Sequence, residues 1–186
     1  METKLELIQS HIKFLLQQRD FIVIAIDGNC AAGKTTLAVK LSDLYDCNVF
    51  HMDDFFLRPE QRTPERFVQP GGNIDYERFA EEVLCPLMSR KTFFYRPFNC
   101  KTFDFSKPIR VTPKKINVIE GSYSHHPYFK DPYDLKIFMA ITPEVQRQRI
   151  LHRPSSLHKK FFEEWIPMER QYFEEFYIHH LSDICL

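Results

Sequence analysis

Apolar and polar positions follow one another in blocks along this 186-residue chain, and the blocks change period in a regular order. Leu5, Ile8, Ile12, Leu15 and Leu16 recur at three- and four-residue spacing, which predicts an amphipathic helix with one packed stripe. The continuous apolar run "FIVIAI" follows and predicts a buried strand. "TTLAVKLSDLY" returns to helical spacing at Leu37, Leu41 and Leu44. "CNVFHMDDFF", "INVIEGSY" and "LKIFMAI" predict three further strands. Between them "DYERFAEEVLCPLMSR" reads as a helix, with Asp75 as its N-cap and Phe79, Val83 and Leu87 on one face. "TPEVQRQRILHR" predicts another. The last long stretch, "HKKFFEEWIPMERQYFEEFYIHHL", is helical with Pro167 bending or dividing it, and "SDICL" predicts a closing edge strand. Strands alternating with helices predict an α/β fold, a single domain over 1–186 whose parallel sheet carries helices on both faces.

Two stretches break the alternation. "LRPEQRTPERFVQPGGN" is polar, with three prolines and a Gly-Gly pair, and predicts a long surface loop over 57–74. Loops of this length are commonly lids or binding elements, which puts this one on the side of a substrate. "KTFFYRPFNCKTFDFSKPIRVTP" is aromatic-rich and broken by prolines, and predicts a small hairpin excursion.

Composition narrows the partners. Hydrophobic residues make up 44% and charged residues 27%, the proportions of an ordinary globular chain. Twenty-five Lys and Arg balance 25 Asp and Glu, so no net field draws the chain to nucleic acid or to an anionic membrane. No run approaches the length of a membrane span, and the polar-interrupted N-terminus does not read as a signal peptide. The five cysteines, Cys30, Cys47, Cys85, Cys100 and Cys185, form no C-x-x-C pair, which predicts a reducing, cytoplasmic location without disulfides or zinc. A homo-oligomer is compatible with the sequence, which fixes no oligomeric state.

The chemistry begins at "GNCAAGKTT", residues 28–36. Gly28, Asn29, Cys30, Ala31, Ala32, Gly33, Lys34, Thr35 and Thr36 complete the pattern G-x-x-x-x-G-K-T between a predicted strand and a predicted helix, the context this motif requires. Glycine lets the backbone approach a phosphate, and the helix N-terminus adds unpaired N–H donors and a positive dipole end. Lys34 is expected to reach the β- and γ-phosphates of ATP or GTP, and the Thr35 hydroxyl to take one position on Mg²⁺. Cys30, inside the loop, reads as a small space-filling residue.

Ligands of an open α/β sheet sit beyond the carboxyl ends of its strands, which gathers the loop, Asp53 and Asp54 after the second strand, and Glu120 after the third. Phosphoryl transfer needs an aligned acceptor, a group for its proton and positive charge on the moving oxygens. Asp53 is the expected base. Glu120 is expected to hold Mg²⁺ or contact the acceptor. Arg149 and Arg153, four apart on one predicted helix face with Arg147 on another, are expected to close over the γ-phosphate from a lid at 147–162. His125 and His126 read as a solvated loop pair, and Trp165 as core or lid packing.

These residues resemble the uridine kinase family, in the wider group with phosphoribulokinase and bacterial pantothenate kinase, over most of the chain. "GNCAAGKTT" looks like its phosphate loop, "MDDFF" its D-S-F-Y element with Asp53 as base, and "VIEGSY" its F-E-G strand end with Glu120. The segment from the arginine helix to "SDICL" resembles its lid and closing strand. The resemblance implies ATP- or GTP-dependent phosphorylation of a ribose 5′-hydroxyl with Mg²⁺, by a P-loop kinase with a short lid. The departures lie on the acceptor side. "GGNIDYERF" stands where the family has a D-H-P-D-type segment, and "YRPFNCKTFDFS" where it has Y-D-F-x-S-H. Tyr95 matches that tyrosine as a substrate contact, but no histidine follows. "DDFFLRP" is also similar to pantothenate and nicotinamide riboside kinases. The expected partner is thus a small-molecule acceptor, a nucleoside such as uridine or cytidine first, with another small primary alcohol as the alternative. A regulator that binds nucleotide without transfer is the reading from a different class.

Overall fold

A computed structural model describes residues 2–154 and 156–186. Five parallel strands, β1 Ile22–Gly28, β2 Cys47–His51, β7 Ile116–Glu120, β8 Leu135–Met139 and β9 Ile184–Cys185, form one sheet in the order β2-β7-β1-β8-β9. β-branched side chains on both pleated faces explain why the inner strands read as unbroken apolar runs: all seven residues of β1 and all five of β7 are buried.

The two faces hold two cores. Ile22, Ile24 and Ile26 pack with Ile8 and Ile12 of helix α1 (Glu2–Gln18) and with Leu37, Ala38 and Leu41 of α2 (Lys34–Leu44). Leu44, assigned to that stripe from its spacing, is instead 49% exposed, because the helix ends there and turns away toward β2. On the opposite face Val23, Phe50 and Ile119 meet Phe79, Val83 and Leu87 of the helical stretch 76–88, here α3, together with Tyr172 and Phe173 of the stretch 158–175. Asp75 caps α3 by accepting from Arg78 N–H at 3.1 Å, as its position predicts.

Pro167 does not divide its helix, which runs unbroken through it. A π-turn at Phe161–Trp165 precedes it, and the same arrangement recurs in α3, where a π-turn at Ala80–Leu84 precedes Pro86. Proline cannot donate to the carbonyl four residues back and its ring crowds that carbonyl. A wider turn just ahead removes the clash and lets the helix continue. We label the last helix α5, 158–175, and the arginine helix Pro143–Leu151 α4.

The excursion after α3 is a pair of small antiparallel ladders, β3 Phe93–Tyr95 with β6 Ile109–Val111 and, at the tip, β4 Phe98–Asn99 with β5 Asp104–Phe105. The loop at 57–74 is held at its ends by the bridge between Phe56 and Ile74 and contains two short turns, at Pro59–Gln61 and Pro64–Phe67. Among the described residues no helix is long and apolar enough to cross a membrane.

Candidate active site

Parallel register sets which strand ends meet. Ile26 and His51 both lie opposite Glu120, and Gly28 lies opposite Met139, so the loop after β1, the end of β2 and the end of β7 open on one edge. Gly28 is required there by contact as well as by conformation. Its φ is +127°, and a Cβ would stand 2.2 Å from the Met139 carbonyl oxygen, a backbone atom of the neighbouring strand.

The phosphate loop divides into two halves by where its N–H groups go. The first half is already bonded to protein. Gly28 N–H donates to Asp27 Oδ1 at 2.7 Å, Asn29 N–H to Met139 O at 3.0 Å and Cys30 N–H to Glu169 Oε1 at 2.6 Å. The second half leads into α2 through Gly33, which is left-handed at φ 102° and acts as the N-cap. N–H groups in the first turn of a helix have no partner within it, so those from Lys34 onward could serve an anion.

Lys34 is buried and folds back over the loop. Its Nζ donates to Gly28 O at 2.6 Å, Asn29 O at 3.0 Å and Ser122 Oγ at 3.1 Å. The Thr35 hydroxyl donates to Glu120 Oε1 at 3.1 Å, and His51 Nδ1 meets the same oxygen at 2.5 Å. That bond is the main reason the His51 pKa lies above the ordinary histidine value. Glu120 is itself almost wholly buried.

Asp53 sits one residue into the 3₁₀ turn Met52–Phe55 that follows β2. It presents accessible surface to solvent yet lies deep among protein atoms, as a group lining a crevice does. Desolvation first, and the Glu120 charge second, push its pKa above the usual aspartate value; Lys34, His51 and Arg153 pull the other way. Asp54, its neighbour, is also raised by burial and is hydrogen-bonded to Tyr95. The hydroxyl, the two carboxylates and the ammonium therefore converge, as expected from the strand-end rule.

The oxygen donors of Thr35, Glu120 and Asp53 suit a hard cation such as Mg²⁺, which prefers carboxylate and hydroxyl oxygens and keeps several waters. Among the described residues no three His, Cys, Asp or Glu side chains gather as a self-sufficient metal cage. A magnesium site of this type would be completed by phosphate and water.

Other expected residues are placed differently. Arg149 Nη1 donates to Ala31 O at 3.0 Å and Ala32 O at 3.3 Å, directly on the phosphate loop. The helix ends at Leu151, so Arg153 stands on the connector beyond it rather than on a helical face shared with Arg149. Ser155, inside the expected lid 147–162, lies outside the described residues. Tyr95 is buried in the aromatic core, with its ring 5.7 Å from Phe55 and 6.0 Å from Phe50. His125 and His126 are not solvated. Both are buried, and burial lowers both pKa values. His126 stacks between Tyr76 at 4.4 Å and Tyr172 at 5.9 Å. Cys30 fills space as expected, its thiol pushed up to about 12, chiefly by burial and then by Glu169.

Three residues of the cluster escaped the sequence reading. Ser122 follows Glu120 by two residues and touches Lys34. Arg78 donates to Asp54 O at 2.8 Å and Arg96 O at 2.9 Å, joining α3, the turn after β2 and the hairpin. Glu169 is 2% exposed, and its signal was a carboxylate inside the apolar stripe Ile166, Glu169, Tyr172. A cavity of about 660 Å³ lined by residues including Arg19, Phe21, Arg90 and Asp134 lies at the amino ends of β1 and β8 and shares none of these side chains.

Solved structures share this fold. One described as a possible uridine kinase from Bacillus stearothermophilus matches with a TM-score of 0.67 and 20% identity, covering 96% of this chain and 98% of that one. The D-glycerate 3-kinase from Cryptococcus neoformans var. grubii matches with a TM-score of 0.62 and 11% identity, over 84% and 80%. The chain has the fold of the P-loop kinases. No family model and no curated protein matches the sequence. The P-loop kinase fold thus rests on the sheet order and the loop, at identities too low to carry an acceptor from any neighbour to this chain.

Proposed function

We propose that this protein is a magnesium- and ATP-dependent kinase of a small molecule, transferring the γ-phosphoryl group to a primary hydroxyl. The observation that carries the reading is the convergence of Lys34, Thr35, Glu120 and Asp53 at one sheet edge, brought together from three separate parts of the chain. A binder that performs no transfer needs the loop but has no use for a carboxylate with a raised pKa beside it. Asp53 accepts the proton of the attacking hydroxyl, and its raised pKa improves the match to that task. Lys34 leaves the loop carbonyls to meet the phosphates. Arg149, already on the loop, and Arg153 close on the transferring group from the lid at 147–162 and exclude water. Bound Mg²⁺ would supply shielding of the phosphate charge, held by Thr35, Glu120 and Asp53.

The 5′-hydroxyl of a nucleoside such as uridine or cytidine is the first candidate acceptor. A different small alcohol, of the pantothenate or nicotinamide riboside type, is the second reading, favoured by one observation: Tyr95, the expected nucleoside contact, is enclosed by Phe50 and Phe55. A cytoplasmic location follows if the acceptor is an intracellular metabolite. The test is ADP release with ATP and Mg²⁺ against uridine, cytidine, adenosine, nicotinamide riboside, pantothenate and D-glycerate. Strong stimulation by one compound, abolished by Asp53→Asn, supports the reading. Background hydrolysis alone across a broad panel of hydroxylated metabolites, by a protein that binds ATP, would promote the regulator.

A further inference from the structure

Glu169 is a buried carboxylate facing a loop built to hold polyphosphate. It comes from α5, more than a hundred residues away in sequence, and its two oxygens are fully engaged. Oε1 accepts from Cys30 N–H at 2.6 Å and from Ser122 Oγ at 3.0 Å, and Oε2 accepts from Gln146 Nε2 of α4 at 3.3 Å. Ser122 Oγ in turn accepts from Lys34 Nζ at 3.1 Å, so the carboxylate and the ammonium are two hydrogen bonds apart. Gln146 Nε2 also reaches Cys30 O at 3.3 Å, so both backbone polar groups of Cys30 are held.

An apolar side chain at position 169 would fill the space but leave Cys30 N–H without an acceptor, at the cost of a buried unpaired donor. A glutamine would supply the same acceptor oxygen without a charge. What the carboxylate adds is negative charge, desolvated and close to Lys34, in the one place where an incoming nucleotide brings several more.

We propose that Glu169 is a positioning residue with two effects: it holds the first half of the phosphate loop through Cys30 N–H, and its charge keeps Lys34 folded back and weakens the grip on nucleotide. The purpose served is release. Spent nucleotide leaves a site that carries its own resident anion more readily than one that does not, and the anion rides on the helix that follows the arginine segment. The inference rests on the nucleotide-binding reading of the loop and adds a residue and a role to it.

The test is the dissociation constant of ADP, with and without Mg²⁺, for the parent protein and for Glu169→Gln. The variant keeps the oxygen for Cys30 and Ser122, so its melting temperature should stay near the parent's. Its affinity should rise by about three- to tenfold, since a like charge has been removed at short range. A residue of purely structural role would leave affinity unchanged or lower it, and either result overturns the proposal. Should Glu169→Gln fail to fold, Ser122→Ala removes the link to Lys34 while leaving Glu169 on Cys30 N–H. It should tighten ADP by roughly twofold, because the folded-back lysine loses one hydrogen bond, and no tightening refutes the idea. A parent protein that binds no ADP overturns the nucleotide reading together with this inference; a parent that binds, with no tightening in the variant, overturns this inference alone.

Discussion

The side of the site proposed for nucleotide and the side proposed for the acceptor are built by different means. On the nucleotide side, backbone groups do most of the work: strand registers, a glycine pressed against Met139, and loop N–H groups assigned one by one to Asp27, Met139 and Glu169. On the acceptor side, side chains do it. Phe50, Phe55, Phe79 and Tyr95 interlock, and Arg78 ties its helix to two other segments through their carbonyls while its guanidinium lies 4.1 Å over the Phe55 ring. A side made from backbone is fixed by a short motif. A side made from long-range side-chain packing can change its ligand by changing a few residues, without disturbing the sheet.

Substitutions can break that division, and the largest effect should come from the backbone side. Gly28→Ala drives a methyl group into the main chain of β8, where nothing can yield. It should cost about 4 kcal/mol and lower the melting temperature by roughly 10 °C, or abolish soluble expression. A melting temperature within 2 °C or so of the parent's would show that the loop–strand contact is softer than described.

Arg78→Met tests the other side. It leaves the Asp54 and Arg96 carbonyls without their buried donor and should cost about 3 kcal/mol. The informative readout is the split. The acceptor KM should rise while ADP affinity stays within a factor of about two, because Arg78 touches no nucleotide-side residue. Equal losses on both would show the two sides to be coupled.

Asp53→Asn lies at the junction. Transfer should fall by about a hundredfold or more with nucleotide affinity within a few-fold. Its effect on stability is the smallest expected, and of opposite sign. A carboxylate whose folded pKa is raised contributes stability below its unfolded value and loses it as pH rises through the folded value. Once ionised, Asp53 is a cost that solvent screening at its exposed edge keeps small, and the asparagine should melt slightly higher than the parent at neutral pH. That gain should vanish as the pH is lowered past the unfolded aspartate value. Thermal unfolding at a neutral and an acidic pH checks the sign.

The same division explains what the sequence made legible. All five sheet strands, the loop, Asp53, Glu120 and the Asp75 cap can be read from local patterns, because period, β-branching and a short motif act within a few residues. The histidine pair could not. Its burial depends on Tyr76, Pro70 and Tyr172, which only the fold brings together. Tyr95 was readable as a hairpin residue, but its inward orientation is set by Phe50 and Phe55. The helix ends two residues short of Arg153, which separates it from Arg149, a boundary that spacing alone does not define.

The π-turn at Phe161–Trp165 has a geometric consequence for the helix that bears Glu169. A π-turn carries one residue more than the α-turn it replaces, and each α-helical residue advances the azimuth by about 100°. The side chains within it, Phe161 with its edge-on partner Trp165, are thus phased separately from Glu169 and Tyr172 after it. Deleting one residue from the turn would leave both halves helical and rotate one against the other like a misaligned key. The wide turn keeps a face that meets Arg147 through Phe162 and a face that meets the phosphate loop through Glu169 on the same rod.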